Sequence, residues 1–127
     1  MKDTIILAST GIIMGFLSAL VGLPSTVEWA LWLAFYVLWV VYGVKTDMDS
    51  PFRRMAFAST LAGLLTGSIQ VFLMEKYRVN TPWSSASFET STASELSTAL
   101  LGQGIGIGLC FGVVTGLIVA KAQARKR

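Results

Sequence analysis

The chain has 127 residues, 54% of them hydrophobic and 13% charged, with a net charge of +3. A water-soluble domain carries about a quarter of its residues as charges, so this chain has too few to cover a water-facing surface. With no histidine and one cysteine, Cys110, it excludes imidazole-based triads, internal disulfides and cysteine metal clusters.

The first apolar run extends from Thr4 to Gly22. As a helix it is about 28 Å long, close to the ~30 Å hydrocarbon core of a bilayer. Its single leading cation, Lys2, is answered at once by Asp3, and no A-x-A site follows. It is therefore expected to be an uncleaved span and not a signal peptide. The turn Leu23–Thr26 contains Pro24 and leads into a second run, Val27 to Val44, predicted to lie antiparallel beside the first. This run carries Trp29, Trp32, Phe35, Tyr36, Trp39 and Tyr42 and lacks a row of small residues. It is expected on the outside of the bundle, with much of its aromatic surface toward lipid.

The charged connection Lys45–Phe52 ends in Ser50-Pro51, which predicts a helix start with proline in the first turn. The third run spans Met55 to Met74. A longer Ser/Thr-rich loop, 77–94, follows, with Trp83 and Phe88 as expected interfacial contacts. Within it Thr92 and Glu95 match the capping box S/T-x-x-E, which predicts the start of the fourth run, Leu96 to Ala120.

The expected fold is an all-α integral membrane protein, a single four-helix transmembrane domain over 1–127. Orientation follows from the cations. With both termini in the cytoplasm, Lys2, Lys45, Arg53, Arg54, Lys121, Arg125, Lys126 and Arg127 are inside, and only Lys76 and Arg78 are outside. The positive-inside rule selects that arrangement, in a plasma (inner) membrane. Trp29 and Tyr77 then fall at the outer interface, Trp39 and Tyr42 at the inner one. Because the basic residues sit at the ends of the apolar runs, a nucleic-acid partner is not expected.

The fourth run places Gly104, Gly108, Gly112, Gly116 and Ala120 in unbroken steps of four. The first has Gly11, Gly15 and Ala19, and the third has Ser59, Gly63 and Gly67. In lipid, helices associate through close packing and interhelical hydrogen bonds, and small residues four apart let backbones approach. Runs one, three and four are therefore expected to form the tight core. Each four-residue step drifts about 40° round the helix axis, so the row from Gly104 to Gly116 is expected to outrun any single straight partner. Gly102 and Gly106 form a second row on the opposite face. The fourth run is accordingly predicted to be wedged between two neighbours, either runs one and three or a second subunit.

The alternate glycines Gly102, Gly104, Gly106 and Gly108 do not match the dinucleotide fingerprint G-x-G-x-x-G. Gln70 and Gln103 are the main amides within the runs and are candidates for an intramembrane polar pair across the third and fourth helices. Thr66, Ser68 and Thr115 are expected to bond to their own helices. No enzyme and no cofactor is expected. The leading function is a structural or accessory subunit that packs, through its glycine faces, with itself or with another membrane protein. The alternative is a minimal oligomeric channel or transporter with Gln70 and Gln103 on its solute path.

Overall fold

The computed structural model describes residues 1–81 and 90–126. Among these the chain is all helical, and four of its helices are long and apolar enough to cross a membrane. Trp83, Phe88 and Arg127 lie outside the described residues.

Helix α1 covers Lys2–Phe16 and continues as a π-helical turn over Leu17–Val21. Gly22, at φ 73°, stops it, because that backbone angle is free of strain only for a residue without Cβ. Helix α2, Ser25–Lys45, begins directly after Pro24. Helix α3, Pro51–Phe72, has proline at its first position, where a missing N–H costs nothing. The short helix α4, Met74–Asn80, follows a one-residue break at Leu73. Helix α5, Ala93–Ala124, starts at the expected capping box: the Glu95 amide donates to Thr92 Oγ1 at 3.2 Å, and the Thr92 amide donates to Glu95 Oε2 at 2.8 Å.

Helix α3 is the centre of the molecule. On one side it meets α1, where a Cβ on Gly11 would overlap the Ala62 carbonyl and one on Gly15 would come within 2.9 Å of Ile69 Cβ. On the other side it meets α5 along the whole glycine row. Gly104 lies against Gly63, Gly108 against Ser59 and Thr60, Gly112 against Ala56 and Ser59, and Gly116 against Phe52. Within the chain, α5 is not wedged between the first and third helices. One partner follows all four glycines, because its contacting residues step back through Gly63, Ser59, Ala56 and Phe52. Two helices that wind about each other keep a drifting row in contact. The wedged helix is α3, and the second row of α5 is uncovered: nothing lies within 4 Å of a Cβ placed on Gly102 or Gly106.

Helix α2 approaches the others less closely, and chiefly α5. Its aromatic surface, much of which is expected toward lipid, is turned partly inward. Tyr36 and Trp39 are buried with Leu7, Met55, Ala58, Ala62 and Val119 in the main core. The exposed stripe is aliphatic: Leu33, Val37 and Val41. Helical phase explains this, since Trp32, Tyr36, Trp39 and Gly43 share one face and Leu33, Val37 and Val41 the opposite one. Trp39 is 2% exposed and so is a core residue, not an interfacial one.

Polar bonds tie the helices together. Thr66 Oγ1 lies 2.9 Å from both the Ala62 carbonyl of its own helix and the Gly11 carbonyl of α1. Ser68 and Thr115 donate only within their own helices. At the end carrying both termini, Asp3 accepts from Tyr42 Oη at 2.8 Å and from Arg54 Nη1 at 2.9 Å. There Gln123 Nε2 also donates to the Gly43 carbonyl at 2.9 Å, and Lys126 Nζ to that of Val44 at 2.9 Å. Lys45, Arg53, Lys121 and Arg125 belong to the same end by their places in α2, α3 and α5.

Candidate functional site

Where α2 stands off from the α3–α5 pair, a cavity of about 230 Å³ opens. It lies toward the end of the bundle opposite the termini. Its floor is the glycine seam, Gly63 and Gly67 of α3 with Gly104 and Gly108 of α5. These four residues carry no side chain, so between them the cavity reaches down to backbone. The facing wall is one side of α2: Ser25, Glu28, Trp29, Trp32 and Tyr36. Glu28, Trp32 and Tyr36 fall four apart and therefore stack along a single helical stripe.

The aromatic wall is braced from behind and below. Trp32 stacks on Tyr36 at 5.8 Å between ring centroids, and Tyr36 stacks on Phe111 of α5 at 4.7 Å and 8°. The Tyr36 hydroxyl and Ser59 Oγ share a hydrogen bond of 2.9 Å, which joins α2 to α3. Helix α2 is thus held at a fixed distance by ring thickness, not by backbone contact.

Gln70 and Gln103 both line the cavity but do not bond to each other. Gln70 Nε2 donates to Ser18 Oγ in the π turn of α1 at 2.8 Å. Gln103 has no hydrogen-bond partner among the described residues, and its amide is left to the cavity. The expected polar pair is therefore two separate elements, one serving as interhelical glue and the other as a lining group. Thr66 lines the same floor between them.

The mouth is shaped by α4 and the residue after it, a stretch expected to be mostly solvated loop. Asn80 Nδ2 donates to the Ala19 and Leu20 carbonyls, each at 2.9 Å. It satisfies carbonyls at the end of the π turn that have no following helix to bond. That anchor brings Tyr77 and Thr81 to the cavity rim, both buried. Thr81 Oγ1 donates to the Tyr77 carbonyl. Burial, and then the negative charge of Glu28, push the Tyr77 phenol up to about 12. Tyr77 therefore stays neutral at ordinary pH.

Glu28 is the residue that reading the sequence passed over. Its signal was present: an acid followed by aromatics at the fourth and eighth positions inside an apolar run. Glu28 is partly buried and has no hydrogen bond or ion pair among the described residues. Among the described residues it is the only formally charged one lining the cavity. Among the described residues no three His, Cys, Asp or Glu side chains gather closely enough to hold a metal ion.

The geometry defines a helical protein with an amphipathic cavity between a thin helix pair and an aromatic third helix. Comparison with protein-family models, curated proteins and solved structures finds no match for this chain.

Proposed function

We propose that this chain is a four-span membrane protein, with both termini cytoplasmic, that binds a small solute in the α2–α3–α5 cavity as a minimal channel or transporter. The observation that carries the reading is a cavity with polar groups on all sides within helices apolar enough to span a bilayer. Polar side chains at membrane depth are costly, and where they face a cavity they commonly mark a solute path. A site of about 230 Å³ falls below the ~300–1,000 Å³ of drug-sized pockets, which suits a small solute. Gln103 supplies a free amide from α5, and α2 supplies aromatic rings.

The test is a thermal-shift screen of the purified chain in mild detergent against small cationic, neutral and anionic solutes. At least one class is expected to raise the unfolding temperature, and Gln103→Leu is expected to weaken that shift. A screen in which no solute moves the transition overturns the reading.

A second reading, the accessory subunit, is favoured by the uncovered row of Gly102 and Gly106. A helix thin on a face that nothing in its own chain fills is suited to a close neighbour. Extraction from native membranes, followed by mass determination of the particle, tests it. A heteromeric particle supports the accessory role, and a lone monomer overturns it.

A further inference from the structure

We infer that the cavity takes a small organic monocation, an ammonium bearing apolar substituents, with Glu28 as its counter-charge and Trp29, Trp32 and Tyr36 as its wall. The inference rests on the solute-binding reading above and names the chemical class of the solute.

Three observations carry it. The first is charge. Among the described residues, Glu28 is the one carboxylate on the lining and no lysine or arginine lines the cavity, and Tyr77 stays neutral there. An anion entering this cavity meets an unopposed negative charge. The second is the lack of a hydrogen bond or ion pair. Asp3, at the other end of the bundle, is satisfied by Arg54 and Tyr42, whereas Glu28, close enough to Tyr77 for its charge to act on that phenol, has no such bond among the described residues. Its place in the first turn of α2 gives it only the helix dipole, about 0.3–1 kcal/mol. That makes the carboxylate tolerable without filling the space in front of it.

The third observation separates organic from inorganic cations. Calcium and magnesium demand several oxygen ligands arranged around the ion. Here, among the described residues, one carboxylate shares the α2 wall with two indoles and a phenol. An indole face attracts a cation within about 6 Å through its ring quadrupole, most strongly where water is excluded. An ammonium with apolar substituents gives up little hydration on entering such a site. Its substituents can lie against the rings and the glycine floor while its charge stays near Glu28. The stacking of Trp32 on Tyr36, and of Tyr36 on Phe111, holds the wall in place before anything binds.

The test uses the full chain in detergent and two probes of one shape, choline and its neutral isostere 3,3-dimethylbutan-1-ol. Binding is read by tryptophan fluorescence and by calorimetry. Choline is expected to bind saturably, at least tenfold more tightly than the isostere. Glu28→Gln is expected to erase that difference by weakening choline alone, and Glu28→Asp to keep part of it. The comparison of probes on the unaltered chain holds even if a variant fails to fold. Equal binding of the two probes, or binding confined to neutral or anionic solutes of the screen, overturns the cation assignment and leaves the cavity reading intact. If no solute of any charge binds, both fall together.

Discussion

The α3–α5 seam and the α2 wall show two opposite ways of holding helices together. At the seam, Gly63 meets Gly104 and Gly108 meets Ser59 with no side chain between the backbones. At the wall, Tyr36 stacked on Phe111 keeps α2 a ring's width away. The seam is closed because its residues are thin, and the wall leaves a cavity because its residues are thick. A helix bundle with only the first kind of contact has nowhere to put a solute. With only the second kind it lacks the close packing that holds helices together in lipid.

The sharpest way to break the comparison is to thicken each glycine row in turn. Gly108→Leu places carbons against the Ser59 carbonyl and Thr60 Cα, which are backbone and cannot rotate away. The expected loss is on the order of 3 kcal/mol, seen as loss of the monodisperse peak on size exclusion in detergent. Gly106→Leu adds the same bulk to an open face and is expected to change monomer stability by less than about 0.5 kcal/mol. If the two variants behave alike, the seam does not carry the fold. If Gly106→Leu instead leaves the monomer folded but splits a native assembly, the open row is a subunit contact.

A smaller effect is expected where the wall and seam meet the first helix. Gln70→Leu removes the bond to Ser18 and is expected to cost about 1 kcal/mol, measured as a lowered unfolding temperature. Because Gln70 is engaged with α1 and Gln103 is not, Gln103→Leu should leave that temperature nearly unchanged while weakening solute binding.

The smallest effect sharpens the picture of α2. Trp39 is buried, yet its Nε1 has no hydrogen-bond partner among the described residues. An unpaired buried donor costs about 1–3 kcal/mol, which offsets part of what the ring gains by packing. Trp39→Phe is therefore expected to hold or raise the unfolding temperature, unlike the loss of ~3–5 kcal/mol typical of truncating a buried aromatic residue to alanine.

Much of this architecture was legible in the chain because it depends on local chemistry. The apolar runs set the helices, Ser50-Pro51 and Thr92–Glu95 set two of their starts, and the four-residue glycine rows identified α1, α3 and α5 as the closely packed helices. The site was legible only in fragments. Gln70 and Gln103 were visible as amides, but that one binds Ser18 and the other faces a cavity depends on which helix stands beside which. Glu28 drew no attention in the chain because an isolated charge near a helix end is ordinarily just solvated.

By itself, the sequence determined the number of apolar helices, their caps and the thin faces available for contact, since each follows from side-chain size and polarity along one helix. Only the tertiary structure decided that α3 and not α5 is the central helix, that one partner follows the whole glycine row, and that Asn80 folds back to close the π turn. It alone decided that the aromatic stripe of α2 faces inward across a gap. Those outcomes depend on the relative rotation and winding of helices, which pairs residues far apart in the chain, and no single helix carries that information.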